Sequence, residues 1–322
     1  MQSDIDSSGP VSFRESEALL AQVAARTADA NAGIYGPESL SWRINREAAL
    51  FLGAGRAALL QLAHPWVAAA LAEHSRAMSR PVARFHGTFR IVFTMVFGTL
   101  DQVLAAARHL YALHTRIRGL LPENTARWQC GSPYEANETG ALRWVYATLV
   151  ESAVLAYECA LGPLGHSECE QYYAETKTLA ALFGLPAAAL PDNWEAFAAY
   201  NRAMHAADND VLGVSSAARA MAHNLLRGAG TWLRVPFWYR ALTVEWLPER
   251  FRREFGLEFG AAEQQAAVRA RANLPKIYAR LPRAVRFNGP WREAQARLAG
   301  RRADLLTRWS NRFWIGQPRL GL

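Results

Sequence analysis

An apolar side chain at every third or fourth position, carried through nearly every long stretch, constrains this chain more than any other feature. In LDQVLAAARHLYALHTRIRG, residues 100–119, the series Leu100, Val103, Leu104, Ala107, Leu110, Tyr111, His114 and Ile117 keeps the helical period of 3.6. Alternating β-branched runs are missing, and Gly, Pro, Asn and Asp fill the gaps. The expected fold is all-α, a single large domain of about a dozen helices. They are expected over 12–32, 42–62, 65–77, 82–97, 100–118, 137–160, 167–183, 192–206, 211–227, 235–246, 249–255, 260–273 and 290–309. His114 stands in line with an apolar stripe. An unpaired buried polar group costs roughly 1–3 kcal/mol, so hydrogen bonding, aromatic stacking and metal ligation are all open for it.

The composition, 51% hydrophobic and 20% charged over 322 residues, is that of a globular chain able to bury a core. The net charge of +8 comes almost wholly from arginine, with lysine only at Lys177 and Lys276. The arginines are spread along the chain rather than gathered in a basic arm, which argues against a nucleic-acid partner. Cys130, Cys159 and Cys169 form no CxxC pair, so neither a disulfide framework nor a structural zinc site is expected. A reducing, cytoplasmic location fits, and the acidic, polar start MQSDIDSSGP does not read as a signal peptide.

The nearest approach to a membrane span is residues 48–73, interrupted by Arg56, His64 and Pro65. Two buried helices meeting near His64–Pro65 are the better reading, with peripheral membrane contact left open. Residues 119–138 form the longest irregular-looking stretch, and loops of that length in compact domains are commonly functional or mobile. Residues 1–9 and the closing NRFWIGQPRLGL read as loose or docked tails.

Signatures for dinucleotide, phosphate-loop, hydrolase, zinc-protease and di-iron chemistry are missing. Five histidines, His64, His74, His86, His109 and His114, lie within 51 residues. Arg84 and Thr88, four apart, share one helix face, suited to an anion or polar ligand; the plainer reading is an arginine that snorkels or pairs with Glu73. His64 suits a helix start and His74 a helix end. Phe85, Phe89, Phe93 and Phe97 form a stripe that is first of all core.

The run GAGRAALLQLAHPWVAAALAEHS (53–75), then RFHGTFRIVFTMVFG (84–98), HTRIRG (114–119), SPYEANETGALRWVYATLVES (132–152) and LPDNWEAFAAYNRAM (190–204), resembles the MpaB and latex-clearing-protein oxygenase family. LPERFRREFGLEF (247–259) and LPKIYARLPRAVR (274–286) look like its C-terminal half. The resemblance covers roughly residues 38–300, leaving 1–37 as an N-terminal extension and 301–322 as a tail.

It implies helices packed in a globin-like manner around haem b, with His114 as the proximal iron ligand and Arg84 and Thr88 as the haem-side pair. Arg118 and Arg56 are our candidates for the propionates. Gly87 stands where latex-clearing proteins carry a lysine, with His86 beside it as an alternative distal ligand, and Tyr146 stands where relatives often show histidine. Glu73 is the nearest match to the acidic residue proposed as a base. The implied activity is a haem-dependent oxygenase using dioxygen on an apolar, isoprenoid or alkene, substrate. A haem carrier or sensor, and an apolar-ligand binding domain with His114 in its core, are the rival readings. The oligomeric state and electron donor are unassigned.

Overall fold

The structure, a computed structural model, describes residues 9–74, 81–228 and 234–322. Among them are α1 (Phe13–Arg26), α2 (Leu40–Asn45), α3 (Ala54–Leu62), α4 (Pro65–His74), α5 (Pro81–Phe97), α6 (Leu100–His114), α7 (Thr139–Leu161) and α8 (His166–Leu182). The second half holds α9 (Trp194–His205), α10 (Ser216–Arg227), α11 (Phe237–Glu245), α12 (Glu249–Phe255), α13 (Ala261–Arg280), α14 (Arg283–Arg286), α15 (Gly289–Leu298) and α16 (Leu305–Ile315). The fold is all-α, relieved by one antiparallel ribbon of β1 (Arg118–Leu120) and β2 (Pro133–Glu135).

The domain is built around α7. A helix apolar on every side must be covered on every side, and α7 is packed by α3, α8 and α13. Trp144 on α7 is fully buried, and its indole N–H donates to the Leu60 carbonyl at 2.8 Å. Gly53, at the start of α3, has no side chain to hold α3 off, since a Cβ there would strike the Ser152 carbonyl of α7. α7 is also the one described helix long and apolar enough to cross a membrane, although half of that stretch is buried inside the protein.

Residues 48–73 divide at His64–Pro65 as expected, but the single helix expected over 42–62 is broken into α2 and α3. A 3₁₀ turn over Ala48–Leu52 leads into α3, and α4 begins at Pro65. Buried His64 works at that junction, its Nδ1 accepting from the Trp66 N–H at 3.3 Å, which is the capping role its position suggests.

Other expectations are corrected. The first helix stops at Arg26, because Thr27 turns extended and the chain then loops through Gly33 and Gly36 at positive φ. The expected helix at 65–77 is seen to His74; its last residues lie outside the described part, as does the tail over 1–8. The stretch 119–138 is not irregular but carries the ribbon, with Thr125 bridged to Trp128. α13 runs on through Pro275, tolerated where the side chain faces solvent. The final helix is two, α15 and α16, broken at Gly300 with φ +66°. The closing segment is docked: Trp314 stacks on Phe51 at 3.7 Å, and Leu320 is buried.

Candidate functional site

α5 and α6 form an antiparallel hairpin turned at Gly98 and Thr99, where the Thr99 side chain and Gln102 make a capping box that starts α6. On α5, Arg84, Thr88, Ile91 and Met95 recur at i, i+4, i+7 and i+11, one face of the helix. On α6, Val103, Ala107, Leu110 and His114 do the same. At the turn the two faces close on each other: Met95, Val103 and Ala107 are buried with Leu20 and Val23 of α1 and Leu179 and Leu182 of α8. In an antiparallel pair the start of one helix lies level with the end of the other. Arg84, Thr88 and His114 therefore share the open end, where the apolar seam gives way to polar groups.

His114 is enclosed without being fully packed. Burial, first, and then the positive charge of Arg84 lower its pKa from 6.5 to about 4, against a hydrogen bond with Asn137 that favours the protonated ring. Asn137 follows β2, and its Nδ2 donates to the Tyr111 carbonyl at 3.4 Å. Asn137 thus ties the ring to the segment after β2, and a neutral imidazole keeps a lone pair on one of its two nitrogens. At neutral pH the ring is an uncharged, oriented donor of that lone pair.

The unfolded imidazole binds a proton near pH 6.5, whereas the folded one resists until about 4. Between those values the unfolded chain carries more protons, so in the cofactor-free protein stability falls as the pH drops through this window. The loss amounts to at most about 3 kcal/mol. Urea midpoints measured from pH 7 to 4 should fall less steeply in His114→Gln than in the parent.

Arg84 and Thr88 are both exposed, while the protein around the Arg84 guanidinium lowers its pKa; with His114, whose pKa Arg84 also lowers, they form a polar cluster at the open end of the hairpin. Arg84 makes no ion pair with a carboxylate among the described residues, so the expected alternative of a pairing with Glu73 is not what the structure holds. Glu73 accepts instead from the Tyr134 hydroxyl at 2.6 Å, over Gly119 of the ribbon. His74 donates from Nε2 to the Arg118 carbonyl at 3.1 Å, so it ties α4 to β1 rather than satisfying the last carbonyls of its own helix.

His86 is turned away from this cluster. Two positions along a helix are about 200° apart, so it lies opposite Arg84 and Thr88, where its Nε2 donates to the Phe313 carbonyl at 3.0 Å and its ring packs on Gly316. The reading of His86 as a distal ligand is corrected on that ground. Arg56 is corrected as well: its guanidinium is spent on the Trp246 carbonyl (2.9 Å), the Ser152 hydroxyl (2.9 Å) and the Glu151 carboxylate (2.7 Å). That cluster lies roughly 18 Å along α7 from the end near Asn137. Arg118 is exposed on β1, close in sequence to His114, with no ion pair among the described residues. His109 faces solvent, and Tyr146 is buried against Thr176 at 2.8 Å.

The space around Gly87 is open, with nothing within 4 Å of a Cβ placed there. Because glycine in a helix costs roughly 0.5–1 kcal/mol relative to alanine, Gly87→Ala should raise stability by about that amount, read as a higher thermal midpoint.

Two features escaped the sequence reading. One is Asn137. The other is a buried polar knot around Arg56, in which His205 lies 3.9 Å from Glu151 and the side chain of Asn201, one turn earlier on α9, is also buried. The spacing N-x-x-x-H in NRAMH is its only trace in the sequence. Among the described residues no three of His, Cys, Asp or Glu stand together as a metal-binding group.

Fold and site together define an all-helical protein with a polar cluster of His114, Arg84 and Thr88 at the open end of a helical hairpin. A profile of the family described as "ER-bound oxygenase mpaB/B'/Rubber oxygenase, catalytic domain" matches residues 42–287, and the chain belongs to that family. The match takes in Arg84, Thr88, His114 and Asn137 and ends before α15. No curated protein and no solved structure matches the chain.

Proposed function

We propose that this member of an oxygenase family is a haem b-dependent oxygenase that uses dioxygen to oxidise, or oxidatively cleave, an apolar isoprenoid or alkene substrate. The observation that carries the reading is His114, a neutral imidazole with one nitrogen tied to Asn137 and the other available. A metal-binding histidine is held in this way, its second nitrogen fixed by an outer hydrogen bond. An imidazole with no neighbouring ligand set among the described residues suits iron that arrives already held in a macrocycle. Haem would supply the redox-active iron that chemistry between dioxygen and an unactivated alkene needs.

The rest of the cluster supports the same reading. Arg84, without an ion pair among the described residues and partly desolvated, suits a carboxylate such as a propionate through its planar fork of donors. Thr88 adds a hydroxyl one turn along the same face. Ile91 and Leu110 carry the seam inward as apolar wall, which excludes water and favours an apolar ligand. The residues present thus fit the group. A cytoplasmic location, with no nucleic-acid partner, belongs to the same proposal.

The test is oxygen consumption by haem-loaded protein supplied with a panel of terpenoid and polyisoprene alkenes. Uptake that depends on the alkene and on His114 is expected. Stoichiometric haem with no uptake on any alkene would make the protein a carrier or sensor instead.

A further inference from the structure

A surface helix ordinarily buries its apolar side chains and shows its polar ones, but α16 leaves a large apolar stripe uncovered. Its inward side is mixed: Thr307, Ser310 and Asn311 are buried, Asn311 completely, together with Ile315 beside Trp314, which stacks on Phe51. Asn311 Nδ2 donates to Glu293 Oε2 at 2.5 Å and to the Pro318 carbonyl at 3.2 Å, and Glu293 Oε2 also accepts the Leu320 N–H at 2.9 Å. Asp304 caps the helix by accepting the Thr307 N–H at 2.7 Å. The helix is thus held by these polar bonds and by Trp314 and Ile315 near its end, without using the side that carries its other large apolar residues.

Its outward side is apolar. Leu305 is 79% exposed, Trp309 66%, Phe313 56% and Leu306 50%. At about 100° per residue these four fall within one stripe roughly 100° wide. The rings of Trp309 and Phe313 lie side by side, 6.5 Å apart and nearly parallel. Arginines border the stripe: Arg312 on its edge and Arg301 and Arg302 ahead of the helix, all exposed. Asp304 is the single acid among residues 301–322, and its carboxylate is occupied by the cap.

We propose that the outer face of α16 is an interfacial anchor that lays the protein on an anionic lipid surface. Charge decides the occupant. A second copy docked on the same face would set arginine edge against arginine edge in a chain of net charge +8, whereas anionic headgroups neutralise those edges. Eleven residues are too few to span a bilayer. A tryptophan, a phenylalanine and two leucines beside basic residues are the make-up of a helix lying in the interface plane. The feature lies outside the family match at 42–287 and stands independently of the function proposed above.

The experiment is flotation of the full chain with phosphatidylcholine vesicles, with and without phosphatidylserine. The parent should float with the anionic vesicles and lose that binding as salt is raised. The variant L306S/W309S/F313S should bind at least about tenfold more weakly, and R301Q/R302Q/R312Q should lose about tenfold of the preference for anionic lipid. Thermal midpoints should be unchanged, since these side chains face solvent, and W309S alone carries the test should the triple variant misfold. A parent that does not float with anionic vesicles, or an apolar-face variant that floats as well as the parent, would overturn the proposal. So would a parent dimer that the apolar-face variant converts to monomer, which would assign the face to self-association.

Discussion

His114→Ala folds and loses the cofactor. The substitution removes a ring at the open end of the hairpin rather than in the packed seam, where Met95, Val103 and Ala107 hold α5 to α6 without it, so helicity should match the parent. Removing even an outer partner of a metal-binding histidine costs roughly 10–100-fold in affinity. Removing the ligand itself should cost more, so that protein reconstituted with haem and passed through a desalting column retains little of the Soret absorbance. Added imidazole, able to occupy the vacated space, should restore part of it. A His114→Ala protein with the parent's spectrum would show that iron is held elsewhere or not at all.

Arg56→Ala gives the opposite pattern, a large loss of stability with no change of cofactor environment. Three hydrogen bonds leave this one guanidinium, and its pairing with Glu151 ties α3 to α7 while the bond to Trp246 ties in the end of α11. Breaking a fully buried pair costs roughly 3–5 kcal/mol, and the 28% exposure of Glu151 brings the expected figure to about 3 kcal/mol. Chemical denaturation should show the drop, while the absorption spectrum of the protein that remains folded should overlay the parent's. A shifted Soret band at unchanged stability would return Arg56 to the cofactor site.

These two residues show what the sequence makes legible. The His114 stripe and the Arg84–Thr88 spacing are local, fixed by helical geometry within one turn or two, and the structure brings them to the same end of one hairpin. The position of His86 was legible by the same arithmetic, because a residue two steps from Arg84 cannot share its face. Asn137 was hidden: the partner of His114 is reached through a ribbon whose strands are three residues each, too short to leave an alternating pattern. Arg56 was misassigned because its partners lie some ninety residues or more further along the chain, and an arginine in an apolar run looks the same whether it awaits a ligand or a glutamate. α16 reads as part of a longer helix and a tail, since only the packed structure reveals that Leu305, Leu306, Trp309 and Phe313 face out.

The most direct measurement is the visible absorption spectrum of the purified protein, as isolated and after haem reconstitution, oxidised and dithionite-reduced. The account predicts a Soret band at one haem per chain, with reduced-minus-oxidised features of a histidine-ligated b-type haem. A protein that stays colourless after reconstitution would contradict it and leave His114 as a hydrogen-bonded residue at the end of a helix.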